Sequence, residues 1–169
     1  MLVNIMNTDS LEKIIIHYQW EPAKIYSLIA IPAERKEIQL LMVLKVCDKY
    51  LKKDMRSHKL ALFAANTLTK EFPSVGNIFF AALAHEKTEQ YKESVLLYQN
   101  CEDRIAESAL RFAITAMRFR ALYKQTNNKE CLKESIYNFQ NAIIAETSEM
   151  ATVWEKAKRE LERVLEQTK

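Results

Sequence analysis

Apolar residues recur at helical spacing along most of this chain. Leu11, Ile14, Ile15 and Tyr18 follow Thr8-Asp9-Ser10, whose side-chain oxygens suit a helix N-cap. Pro22 fits the first turn of a second short helix, through about Ile31. Pro32 starts a longer helix in which Ile38, Leu41, Leu44 and Val46 to Leu51 fill most of the circumference, so it is predicted to be well buried. Lys52-Lys53-Asp54 ends it. Ser57 is placed to cap the next helix, with Leu60, Ala61, Ala64, Ala65 and Leu68, which closes at Pro73. Ser74 or Asn77 opens a helix with Ile78, Ala81, Ala82 and His85 on one face. A polar break from Lys87 to Gln90 leads into a helix at Tyr91. A long helix is expected from about Arg104 to Lys124, then a loop at Gln125-Thr126-Asn127-Asn128 and a further helix. Ser148 is expected to cap a last helix through Met150, Val153, Trp154, Ala157, Leu161, Val164 and Leu165. The other face of that helix is rich in Lys, Arg and Glu, as an end helix facing water requires. The pattern holds no strand and no domain linker, so 1–169 reads as a single all-helical domain.

One of these helices is written twice. Tyr91-Lys92-Glu93-Ser94-Val95-Leu96-Leu97-Tyr98-Gln99-Asn100-Cys101 reads onto Leu132-Lys133-Glu134-Ser135-Ile136-Tyr137-Asn138-Phe139-Gln140-Asn141-Ala142. Lys, Glu, Ser, Gln and Asn recur in place, Val95 becomes Ile136, and Tyr98 becomes Phe139. A repeated helix with the same small and aromatic positions predicts stacked helical hairpins. A small residue lets two helices approach closely. An aromatic four positions on lies on the same face and fills the gap to the neighbour.

The pattern resembles the tetratricopeptide repeat, whose second helix carries a small residue, an aromatic four positions later and another small residue three further. Ser94, Tyr98 and Cys101 match in one unit, and Ser135, Phe139 and Ala142 in the next. Ala61, Ala65 and Leu68, ending in Pro73, form a looser first copy. Ala61 to Ser94 is a step of 33, close to the motif's period of about 34 residues, whereas Ser94 to Ser135 is a step of 41. The extra residues are placed in the Gln125–Asn128 loop and the helix before it. The first helices of the pairs depart from the motif: Ala81-Ala82 stand where it prefers a large aliphatic and Gly, His85 where it has Tyr, and Glu89 where its inter-helix turn has Gly.

The resemblance implies an all-α fold: an α-solenoid of about three hairpins (32–73, 74–103 and 104–146), with N-terminal helices over 1–31 and a capping helix over 147–169. It also implies that the first helix of each pair lines a concave face. Phe79, Phe80, Leu83 and Lys87 would lie there in the middle unit, and Met117, Arg118 and Ala121 in the third. Phe80 and Leu83 occupy positions that a carboxylate-clamping module of this family fills with polar residues, so an apolar anchor is the expected ligand feature. In size and architecture the chain is similar to the small tetratricopeptide chaperones of bacterial type III secretion.

Composition narrows the function classes. One Gly and three Pro leave little material for hairpin turns, which argues against a β or α/β fold. The net charge of +3 does not by itself indicate nucleic acid. Cys47, Cys101 and Cys131 form no CxxC pair and read as buried thiols of a reducing compartment. The start lacks the basic region of a signal peptide, and no apolar run is long enough to span a membrane, so a cytoplasmic protein is expected.

No chemistry-bearing motif stands out. His85-Glu86 opens like a zinc-protease HExxH, but the second His is absent, and His85 reads as a packing residue. No GxSxG, Walker loop or GxGxxG occurs, so no enzyme, metal or cofactor is expected. Arg104, Arg111 and Arg118 fall at steps of seven and form a loose stripe if one helix carries them. Lys45, Lys49, Lys52, Lys53, Arg56 and Lys59 make a second basic zone, diluted by Asp48 and Asp54. Neither is interleaved with base-stacking aromatics, so nucleic acid is disfavoured. The leading expectation is a protein-binding module, a chaperone or assembly adaptor that holds an apolar segment of a partner. The alternatives are a structural subunit or homo-oligomer docking through the N-terminal face around Ile14 to Trp20, and, behind it, an RNA-binding helical repeat.

Overall fold

A computed structural model describes residues 7–30, 32–146 and 149–168. Every regular element among the described residues is helical. They are α1 (Thr8–His17), α2 (Pro22–Ile29), a 3-10 turn (Ala33–Arg35), α3 (Lys36–Tyr50), α4 (Arg56–Glu71), α5 (Val75–Lys87), α6 (Tyr91–Arg104), α7 (Ser108–Thr126), α8 (Lys129–Ala145) and α9 (Met150–Gln167). The chain divides into two compact units, Met1–Glu89 and Gln90–Lys169. The boundary falls within the stretch 74–103, so α5 belongs to the first unit and α6 to the second.

In the first unit α3 is central. It packs against α1 and α4, and α4 packs in turn against α5. Leu40, Val43, Val46 and Cys47 of α3 share a core with Leu11 and Ile15 of α1 and with Leu60, Ala61, Ala64 and Leu68 of α4. The short side chains of α4 let helices pack closely on it. A polar tie sets α1 on α3: Lys49 Nζ donates to Glu12 Oε2 at 2.7 Å, and Tyr50 OH donates to Glu12 Oε1 at 2.6 Å. The face from Ile14 to Trp20, which the alternative reading would dock elsewhere, is used in part inside the unit. Ile15 and Trp20 are buried, and Ile16 is its exposed large apolar residue.

Helix starts differ from the sequence reading by up to four residues. The cap of α1 is Asn7, whose Oδ1 accepts from Ser10 N at 2.8 Å, rather than Thr8-Asp9-Ser10. Pro32 leads into the 3-10 turn, and α3 starts only at Lys36. Ser57 lies inside α4 with its hydroxyl donating back to Asp54 O, while the Asp54 carboxylate accepts from Arg56 N at 3.0 Å. Ser74 caps α5 as expected, accepting from Asn77 N at 3.2 Å. Past α5, Glu89 has φ 64°, the left-handed conformation for which the resembled family uses Gly. The expected cap Ser148 lies outside the described residues.

In the second unit α7 and α8 form the central pair, with α6 packed on α7 and α9 on α8. The small and aromatic positions of the repeat are interior: Ser94, Tyr98 and Cys101, and Ser135, Phe139 and Ala142, each have no exposed surface. Ser135 Oγ donates to Ala116 O at 2.6 Å, so the small residue touches the backbone of the opposing helix. Trp154 of α9 is buried against this core. The long helix expected from about Arg104 to Lys124 is α7, which starts four residues later: α6 runs on to Arg104 and α7 begins at Ser108, with Ile105 and Glu107 extended. The reversal lets Ala109, Ala113 and Ala116 of α7 reach cover in the core, which a continuous helix would carry away. The expected loop 125–128 shrinks to Asn127, at φ 55°, and Asn128, whose side chain caps α8 by accepting from Glu130 N at 2.9 Å.

Two outcomes follow from this packing. Ser135→Leu forces a larger side chain against the α7 backbone and destabilises the second unit by at least about 1–3 kcal/mol, whereas Ser135→Ala costs about 1 kcal/mol. Urea unfolding of both variants checks the order, and equal effects would contradict close helix approach at this position. Hydrogen bonds from Lys49 and Tyr50 hold the Glu12 carboxyl below its usual range. Its contribution to stability is therefore complete above the unfolded Glu value and is lost as pH falls through the lower folded value. Thermal melts should show Glu12→Gln flattening the acid side of the stability profile.

Candidate functional site

The two faces of α5 are chemically unlike. Ile78, Ala81, Ala82 and His85 are buried, with His85 Nε2 3.2 Å from Asn66 Oδ1 of α4. Phe80, Leu83, Ala84 and Lys87, at helical spacing, line a groove of about 480 Å³. The opposite wall is α3, through Leu41, Leu44, Asp48 and Leu51, with Met42 and Lys45 beside them. Ala61 of α4 contributes to the lining, as does Thr8 at the start of α1. A groove of this volume suits a few side chains of a ligand.

Polar contacts tie both ends of α5 to α3 and leave the middle apolar. At one end Asn77 Nδ2 donates to Glu37 Oε1 at 2.6 Å and to Phe72 O at 2.8 Å. At the other, Lys87 Nζ donates to Asp48 Oδ1 across the groove. Both partners of that ion pair are about half exposed, so the pair is screened and adds little stability. Its effect is electrostatic, since it neutralises two charges at the rim. Lys45 is exposed and, among the described residues, makes no ion pair or hydrogen bond.

Of the residues expected on the concave face, Phe80, Leu83 and Lys87 do line the groove. Phe80 is 48% exposed. Phe79 is half-buried beside it, with ring centroids 5.8 Å apart at 62°, and is not among the lining residues. Met117, Arg118 and Ala121 lie on α7 in the second unit. Ala121 has no exposed surface, Met117 packs against the unit's core, and Arg118 Nε donates to the nearly buried Glu102 carboxylate. Thr115 Oγ1 donates to the same carboxylate at 2.5 Å. With the helix broken after Arg104, the Arg104, Arg111 and Arg118 stripe does not lie on one helix.

Sequence reasoning overlooked the α3 wall: Leu41, Met42, Leu44, Lys45, Asp48 and Leu51. The signal was present, because α3 is apolar around most of its circumference, and this was taken for burial alone. Half-buried Leu41, Leu44 and Leu51 face the groove, while fully buried Leu40, Val43 and Cys47 face the core. The second basic zone is dispersed. Lys49 is held by Glu12, and Arg56 by Asp54 through contacts of 3.0 and 2.7 Å.

Other features offer less. The second unit has a cleft of about 560 Å³ between α8 and α9, lined by Ile143 and by Glu155, Lys156, Arg159, Glu160 and Arg163 of α9. Charges of both signs fill it, and Arg159 already donates to Glu155 at 3.0 Å. All three cysteines are buried. Burial pushes the Cys47 thiol up to about 12 and the Cys101 thiol up to about 11, where neither supplies thiolate at neutral pH. Among the described residues, no three of His, Cys, Asp and Glu gather as a metal site, and no helix is long and apolar enough to cross a membrane. No family model, curated protein or solved structure matches the chain.

A solvatochromic apolar dye should bind this groove and brighten. Phe80→Asp should lower that signal several-fold while circular dichroism stays unchanged, because Phe80 lies outside the core. An unchanged dye signal in the folded variant would place the apolar site elsewhere.

Proposed function

We propose that this protein is a non-enzymatic protein-binding module, a chaperone or assembly adaptor, and that the groove between α3 and α5 holds an apolar segment of its partner. The observation that carries this reading is the unfilled apolar groove itself. Leu41, Leu44, Leu51, Phe80 and Leu83 converge on it, and the three α3-side leucines, though packed against the unit's core, are only partly buried. A half-exposed Phe beside partly buried leucines gains most by burial against another chain. At about 25 cal/mol per Å² of apolar surface, even part of that area is a useful binding contribution.

The scaffold is read as a tetratricopeptide-like stack of helical hairpins, an α-solenoid. Burial of both small-aromatic-small sets and of the looser first copy supports this. Ala61, Ala65 and Leu68 are interior, like Ser94, Tyr98 and Cys101 and like Ser135, Phe139 and Ala142. The left-handed Glu89, at the position of the family's turn glycine, supports it further. A chaperone of this kind would shield a partner's apolar segment before assembly.

Affinity capture with quantitative mass spectrometry tests the function. The wild-type chain should retain a protein in stoichiometric amount, and the Phe79→Ser, Phe80→Ser double variant should lose at least ~90% of it, corresponding to more than about 1.4 kcal/mol of binding. Undiminished capture by a variant that is still folded would remove the groove from the function.

A further inference from the structure

We infer that the occupant of this groove is a short amphipathic helix with a carboxylate near its middle, rather than an extended strand. The inference rests on the protein-binding reading and adds the form and charge of the bound segment.

The backbone around the groove argues for a helix. The walls are α3 and α5, and Ala61 belongs to α4, so the interior N–H and C=O groups of these elements are bonded within their own helices. The carbonyls at the helix ends are occupied as well. Tyr50 O accepts from Lys53 N and Asp54 N, both at 2.8 Å. Leu51 O lies 2.7 Å from His58 Nε2. Ala84 O accepts from Thr88 N at 3.1 Å and from Thr88 Oγ1 at 2.8 Å. An extended peptide pressed against the α3 and α5 walls would exchange backbone hydrogen bonds to water for none from those two helices, at a cost of about 1–3 kcal/mol for each group left unsatisfied. A helix carries its own backbone hydrogen bonds and presents only side chains.

The dimensions and charge agree. From Leu41 to Leu51, just past the end of α3, the wall rises ten helical steps, roughly 15 Å, matching about three turns of an opposing helix. Asp48 and Lys87 neutralise each other at the rim. Lys45, midway along the α3 wall and without an ion pair among the described residues, is left as the uncompensated charge. A carboxylate on the occupant, flanked by apolar residues at i, i+3, i+4 and i+7 spacing, complements that arrangement.

A displayed library of random peptides of about sixteen residues, roughly four helical turns, panned against the whole chain tests this. Enriched sequences should show helical apolar spacing with a central Glu or Asp. A central proline should abolish their binding. Phe80→Asp should weaken it at least tenfold. Lys45→Glu should weaken it roughly two- to fivefold, the size expected of an exposed pair, and replacing the peptide's acid with Lys should restore it. Groove-dependent binders that alternate as strands, tolerate proline or favour basic residues would overturn the inference and leave the protein-binding reading standing. A library yielding no binder sensitive to Phe80→Asp would overturn both. Selection of the chain's own sequence, with concentration-dependent mass in light scattering, would make a second copy the occupant and overturn the inference as stated.

Discussion

A helix that is apolar on two sides needs cover on two sides, and α3 has it on one. Its Leu40, Val43, Val46 and Cys47 close the core of the first unit against α1 and α4. Its Leu41, Leu44 and Leu51 look across to α5 and are met by side chains without being sealed. The groove follows from that arithmetic. α5 is tied to α3 near both ends, by Asn77 to Glu37 and Lys87 to Asp48, while its Ile78, Ala81 and Ala82 face is committed to burial.

The small residues of α4 make this possible. Ala61, Ala64 and Ala65 let helices pack closely on α4 without long side chains filling the space between α3 and α5. The same device recurs in the second unit, where Ser135 brings α8 against the backbone of α7. There the inner faces of the helices pair into a buried core. Met117 and Ala121 are absorbed into packing, and Arg118 into an ion pair with Glu102. The two units use one packing rule to opposite ends, one leaving an apolar groove and the other a closed core.

The helices and the repeated packing positions were legible in the sequence because both depend on local periodicity. Ser94, Tyr98 and Cys101 could be read as interior from their repeated spacing, whereas the placement of Phe80, Leu83 and Lys87 on one face came from the resemblance to the tetratricopeptide repeat. The α3 wall was harder, since spacing cannot tell a helix covered on all sides from one covered on most of them. The start of α7 at Ser108, four residues past the expected one, was hidden for a different reason. No Gly or Pro marks it, and the turn is set by where Ala109, Ala113 and Ala116 find cover. Caps drifted by a residue or more because Asn7 and Asp54 compete for the same role as their Ser and Thr neighbours.

The central claim is that the α3–α5 groove is where a partner's apolar segment rests. Photo-crosslinking from position 80 in the intact chain, with position 55 as a control, tests it most directly. Met55 is more exposed than Phe80 but lies outside the groove. A discrete adduct from position 80, mapping to one apolar segment of a single protein and absent from position 55, is the predicted result. The same adducts from both positions, or none from position 80, would contradict it.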